Sequence, residues 1–238
     1  MLVPLTRQSI EQIVPIIATG PQYAHYWGKW SYFLRRLFIS VIALTAAWLI
    51  GNLFGPGGLT IKTIKLIFDI IAGLYWLWGP VYWASVRNNT YRRLPYGGFW
   101  RGRVFDAFVT EELIGEEERV NKRGELEIIE NRQRCINLEI GDQTGFSAIV
   151  RAPLKRIHKS IRPGMVAEAL LMSRDPDLGD INQLSDVHLP QLDQWIGEYP
   201  VLRRDIFQQV SRELGGGKEP RPKPSRYSNN VIRRRKTR

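Results

Sequence analysis

The stretch LFISVIALTAAWLIGNLF (residues 37–54) has no charged side chain, and LIFDIIAGLYWLWGPVYWASV (residues 66–86) has only one, Asp69. At about 1.5 Å per helical residue, stretches of this size reach about 27–31 Å, the thickness of a bilayer's hydrocarbon core. Helices buried in soluble proteins are shorter and keep a polar edge. GPGGLTIKT (residues 55–63) separates the two stretches, and its Pro and clustered Gly are turn chemistry. The reading is a transmembrane helical hairpin over residues 37–86, with spans at 37–54 and 66–86. Gly79-Pro80 is expected to kink the second span, because proline removes a backbone hydrogen bond.

Charge orients the hairpin. Lys29, Arg35 and Arg36 precede the first stretch, and Arg87, Arg92, Arg93, Arg101 and Arg103 follow the second, whereas the turn region offers Lys62 and Lys65. This bias predicts both termini on the cytoplasmic side. Asp69 follows Lys65 by one helical turn, so the two can pair near the membrane surface; the other reading is a contact with a partner helix. Tyr75, Trp76, Trp78, Tyr82 and Trp83 form a dense aromatic group. It suits an interfacial belt, with a packing face for other helices or for pigment-like or lipid ligands as the second reading.

The net charge of +11 divides unevenly. Residues 1–103 sum to +9, residues 104–214 to −6 and residues 215–238 to +8. The basic character therefore lies beside the apolar stretches and in the tail, which disfavours a basic nucleic-acid-binding domain. One cysteine, Cys135, excludes an intramolecular disulfide framework and a cysteine-based zinc site.

Residues 1–36 lack a cleavable-signal pattern. In TRQSIEQIVPII (residues 6–17), Ile10, Ile13, Val14 and Ile17 recur at helical spacing, Thr6 or Ser9 can cap, and Pro15 interrupts. Tyr and Trp rings follow (residues 23–36), giving an interfacial lead-in to the first span. Residues 87–103 read as a basic juxtamembrane linker.

Beyond it the period shortens. RVFDAFVTEELI, GELEIIEN, RCINLEIGD, FSAIVRAPL and MVAEALLMS are short runs rich in Val, Ile and Phe, broken by turn residues. They predict a soluble β-rich domain over residues 104–200: a five- or six-stranded small barrel, OB-like or SH3-like, with an open sheet plus one helix as the alternative. Cys135 or Ile136, with Leu138 and Ile140, are its inward positions. Leu202, Ile206, Val210 and Leu214 share a face, predicting an amphipathic helix over residues 201–214 closed by Gly215. The fold class is thus membrane α + β. Residues 215–238, nearly without apolar side chains, read as a disordered basic tail.

The chain has no phosphate-binding glycine loop, and His25, His158 and His188 show no ligand spacing. No catalytic, cofactor or metal residues are expected, and the chain reads as a non-enzyme. Arg151, Lys155, Arg156, Lys159 and Arg162 form the basic run of the β-rich domain, either a solvated face or a docking patch for an acidic partner. Arg233, Arg234, Arg235 and Lys236 concentrate charge in the tail, where anionic lipid headgroups are the expected partner.

MLVPLTRQSIEQIVPIIATGPQYAHYWGKWSYFLRRL, with YRRLPYGGFWRGRVFDAFVTEE further on, resembles an uncharacterised family of cyanobacterial membrane proteins often labelled phosphate ABC transporter permeases. The resemblance covers residues 1 to about 214 and carries no motif of known chemical role. It implies a thylakoid or plasma membrane in an oxygenic photosynthetic cell. A permease subunit would need more spans and a cytoplasmic coupling loop, neither of which this chain shows. Three functions remain as expectations: a scaffold, assembly or accessory factor for a membrane complex, plausibly photosynthetic; a transporter subunit; and a membrane-tethered contact for nucleic acid or ribosomes, which is not favoured. The bilayer and other membrane subunits are the expected partners of the first.

Overall fold

The computed structural model describes residues 1–28, 30–53, 58–120 and 126–215; side chains at 53, 114–120 and 126–131 are not described. The chain forms two compact units. One joins Met1–Ile13 to the segment from Leu94 onward, and the other is Val14–Arg93.

The first unit is an eight-stranded antiparallel sheet: β1 (Leu2–Pro4), β2 (Tyr96–Val120), β3 (Leu126–Gly141), β4 (Ser147–Pro153), β5 (Val166–Ser173), β6 (Gln183–Leu184), β7 (Val187–Leu189) and β8 (Gln194–Ile196). The main order is β4-β3-β2-β5-β7-β8, with β1 on β2 and β6 on β5. The long β2 organises it. Its first part, Tyr96 to Arg103, pairs with β5, and from Arg103 onward it pairs with β3. Register shifts at Val104/Asp106 and Leu113/Gly115 bend it. Gly102 is required here, since a Cβ would collide with the Trp100 ring.

Alternation sends Trp100, Val104, Ile136, Leu138, Ile140, Val150, Ala169, Leu171, Val187 and Ile196 into one apolar core, drawn from six strands. β5 is buried on both faces. Its second face is covered by α1 (Arg7–Ile13) and α6 (Arg204–Gly215). Phe207 of α6 lies 5.6 Å from Phe99, and the Arg203 N–H donates to Ile13 O at 2.8 Å. Thr6 caps α1, accepting the Ser9 N–H at 3.3 Å.

The second unit holds α2 (Gly20–Trp27), α3 (Trp30–Leu53), α4 (Leu59–Gly73) and α5 (Tyr75–Arg92). α3 is long and apolar enough to cross a membrane, while α4 and α5 pass that test only together and are bent by 75°.

Several expectations need correcting. The N-terminal segment is not one interfacial element: residues 1–13 complete the sheet unit, and Ile17 is exposed rather than part of the buried face formed by Ile10, Ile13 and Val14. The basic linker expected at 87–103 is helix α5 up to Arg92 and strand β2 from Tyr96. The sheet has eight strands rather than the expected five or six: residues of GELEIIEN and RCINLEIGD fuse into β3, three very short strands follow β5, and β1 joins from the N-terminal segment. Of the inward candidates, Ile136 rather than Cys135 joins Leu138 and Ile140 in the core. Residues 59–63 belong to α4 rather than to a turn. The tail, with Arg233, Arg234, Arg235 and Lys236, lies outside the described residues.

Candidate functional site

The helical unit is built with its small and polar groups inside. Along α3 the less exposed positions are Phe33, Arg36, Ser40, Ala43, Ala47 and Gly51, spaced by three or four. The large apolar side chains point the other way: Phe38 is 65% exposed and Trp48 58%. No residue of α4 is buried, and its Leu59 is 82% exposed. Small inward residues allow close helix approach. At Gly51 an added Cβ would sit 2.6 Å from Lys65 Cε.

Several polar side chains are buried within the helical unit. Gln22 of α2 and Asn88 of α5, both fully buried, exchange amide hydrogen bonds: Gln22 Nε2 donates to Asn88 Oδ1 at 3.0 Å, and Asn88 Nδ2 to Gln22 Oε1 at 2.9 Å. Arg36 donates to Tyr26 O and, at 2.8 Å, to Trp27 O, satisfying carbonyls at the end of α2. Its guanidinium lies 5.5 Å from the Trp27 ring centroid. Arg92 donates to Val14 O at 2.7 Å.

The α4–α5 break falls at Leu74, not at the Gly79-Pro80 step, which α5 carries inside itself. Two of the backbone groups at the break have side-chain partners. The Trp76 N–H donates to Ser40 Oγ of α3 at 3.3 Å, and Trp78 Nε1 donates to Ile71 O at 2.8 Å. The bend is therefore fixed by a tertiary hydrogen bond from a side chain 36 residues away, which local propensity does not encode.

Lys65 Nζ lies 3.3 Å from Asp69 Oδ2, so the expected pair forms. The other oxygen, Asp69 Oδ1, is buried without a hydrogen-bond partner among the described residues. The aromatic group divides. Trp76 packs inward, 5.8 Å from Phe33 and 6.2 Å from Trp27, tying α2, α3 and α5 together. Trp78, Tyr82 and Trp83 run edge-to-face along the exposed side of α5.

In the sheet unit the basic run also divides. Arg151 is engaged, with Nη1 2.7 Å from Glu112 Oε1 and Nε 3.2 Å from Asn137 Oδ1. Lys155, Arg156, Lys159 and Arg162 are exposed on and around a 3-10 turn at Arg156–Ser160. His158 is the turn's buried anchor, its Nδ1 accepting the Lys155 N–H at 3.2 Å. Burial, and then the nearby Lys155 charge, hold its pKa below the usual imidazole value.

Two buried acidic centres were not among the sequence candidates. Glu168 of β5 accepts the Ser211 hydroxyl at 2.7 Å and lies 3.3 Å from His188 Nδ1 and 3.6 Å from Arg101 Nη1. His188 is stacked on Trp195 at 4.5 Å. Arg101 Nη1 also donates to Gly215 O at 2.6 Å, so the cluster clamps α6 to the sheet. Asp186 Oδ1 accepts the Val201 and Leu202 N–H groups at 3.1 and 3.2 Å, fixing the approach to α6. Burial pushes its pKa up to about 7. Glu168, His188 and Ser211 lie far apart in sequence, and the buried glutamate within an otherwise apolar strand was the available clue.

A cleft of about 740 Å³ opens over Trp100, Phe146 and Leu171. Its carboxylate, Asp142, is already engaged by Trp100 Nε1 at 2.8 Å and the Thr144 N–H at 2.9 Å. Burial would raise the Asp142 pKa, but the bonds from Thr144 and Trp100 hold it below the usual carboxylate value. Among the described residues no group of three or more His, Cys, Asp or Glu is placed to hold a metal ion.

These features define a class: an antiparallel sheet unit into which an apolar helical unit is inserted after the first strand and helix. The chain belongs to a family of unknown function (DUF8619), whose model matches residues 3–220. That description agrees with an uncharacterised family and carries neither an organism nor a transport role. No curated protein and no solved structure matches the chain.

Proposed function

We propose that the protein is an integral membrane scaffold, assembly or accessory factor, held by Val14–Arg93 and presenting its sheet unit to a membrane complex on the cytoplasmic side, without catalysis of its own. The observation that carries this is the reversed burial of the helical unit: Phe38, Trp48, Leu59 and their neighbours face outward, while Gln22, Arg36, Ser40 and Asn88 face inward. In water such an exterior drives aggregation; in lipid it is the solvated state.

The sheet unit supports two crossings rather than one. Leu2, Val3 and Pro4 pair with Trp100, Phe99 and Gly98, and Ile13 O accepts the Arg203 N–H, so both ends of the helical insert start from one folded body. A body cannot sit on both sides of a membrane, so the insert crosses an even number of times. If α3 crosses, the bent α4–α5 pair returns the chain. The partners found by the Trp76 N–H and Ile71 O at the break support that return, since orphan backbone groups are costly in lipid. The basic tail is read as a second, electrostatic hold on anionic headgroups.

Expression followed by alkaline carbonate extraction tests the anchor, and recovery in the soluble fraction overturns it. Protease treatment of sealed, oriented vesicles tests the sides: sheet unit and tail are expected to be cut from the cytoplasmic face alone. Co-purification in detergent tests the role. Transporter subunits would favour the permease-subunit reading, and bound RNA or ribosomal proteins the nucleic-acid reading.

A further inference from the structure

We propose that the turn bearing Lys155, Arg156, Ile157 and Lys159 is a contact site of the sheet unit for the anionic lipid surface of the membrane that holds the helical unit. This inference rests on the membrane reading above. Residues 154–165 contain four basic side chains and no acidic one, within a domain whose overall charge is negative. Lys155, Arg156 and Lys159 are exposed, and none has a carboxylate partner among the described residues. Between them Ile157 is 53% exposed. An apolar tip ringed by cations matches a headgroup layer, where the charges meet phosphates and the aliphatic group enters the acyl boundary.

The tip is held in place rather than left loose. Ile157 O accepts the Ser160 hydroxyl at 2.8 Å and Gln194 Nε2 at 3.3 Å. Arg162 Nη1 is turned back onto Lys159 O and Ile161 O, at 2.7 and 3.0 Å. His158, between the exposed Ile157 and Lys159, and Ile161 beyond them are buried anchors. The turn therefore meets a surface with little ordering cost. It offers no exposed aromatic ring on which a nucleic-acid base could stack, so lipid is favoured over RNA.

The test uses the full chain carrying Cys135→Ser and Ile157→Cys, labelled with an environment-sensitive fluorophore and placed in nanodiscs of phosphatidylcholine alone or with about 30% phosphatidylserine. The label is expected to shift to the blue and brighten about twofold in the anionic discs, and to return to its neutral-disc signal at high salt. Lys155→Glu with Arg156→Glu and Lys159→Glu should abolish the response, and a label at Arg174→Cys should not respond. Incorporation into discs with an unresponsive label at 157 overturns this inference alone, whereas failure to incorporate overturns the membrane reading beneath it. A response to added single-stranded RNA that exceeds the response to phosphatidylserine overturns it in favour of nucleic acid.

Discussion

The two units of this chain solve the burial problem in opposite senses. In the sheet unit, Trp100, Leu138, Leu171 and Ile196 are inside, and charge is confined to the surface or to clamps such as Glu168. In the helical unit, Arg36, Ser40, Gln22 and Asn88 are inside and Phe38, Ile42 and Phe68 are outside. The contrast shows that apolar content alone does not reveal what holds a unit together. The sheet is held by removing apolar surface from water. The helices meet through small residues and buried side-chain hydrogen bonds such as Gln22–Asn88.

That contrast predicts how substitutions divide. Trp100→Ala, which empties the sheet core, is expected to cost about 3–5 kcal/mol in thermal unfolding of the sheet unit. A loss below 1 kcal/mol would mean that the core is not organised around this ring.

Asp186 predicts a pH effect confined to the sheet unit. Its carboxyl, raised to about 7 by burial, keeps its proton in the folded state where the unfolded chain has released it. The folded state then binds more protons between about pH 4 and 7, so its stability is fullest below pH 4, falls as pH rises through that window and levels off above 7. The full span is at most about 4 kcal/mol. Asp186→Asn, which keeps an oxygen for Val201 and Leu202, is expected to flatten the curve. An unchanged slope in the variant would assign it to another group.

In the helical unit the sensitive direction is reversed. Ala47→Phe, on the inward stripe of α3, is expected to cost about 1–3 kcal/mol by forcing the helices apart, read as a lowered melting temperature in detergent. Phe38→Ala is expected to change stability by less than about 0.5 kcal/mol, because its outward ring loses only contact with the surrounding medium. Equal losses from the two variants would remove the distinction between the units.

Much of the architecture is legible in the residues. The uncharged run through α3, the alternation at Ile136, Leu138 and Ile140, the amphipathic α6 and the Lys65–Asp69 pair all rest on spacing along one element, which a linear reading captures. What escapes it depends on distant partners. Proline at position 80 marks a lost hydrogen bond, yet the chain breaks at Leu74, where Ser40 and Trp78 engage the Trp76 N–H and the Ile71 carbonyl. β7 and β8, three residues each, are too short to show a period. The docking candidates separate because Arg151 finds Glu112, 39 residues away, while Lys155, Arg156 and Lys159 find no such partner among the described residues. The Glu168–His188–Ser211 clamp assembles from β5, β7 and α6, and no window of sequence contains it.

The placement of β1 also sets a timetable. Leu2 must find Trp100, and at about 5–20 residues per second the ribosome needs on the order of 5–20 s to deliver that partner. Throughout that interval the first strand and α1 stand in water with Ile10 and Ile13 uncovered, while everything made next is the apolar insert. The sheet cannot close until the insert is complete, and α1 gains its second neighbour only when Phe207 and the rest of α6 emerge. Assembly of this protein is thus nested: α6, the last helix among the described residues, covers α1, the first.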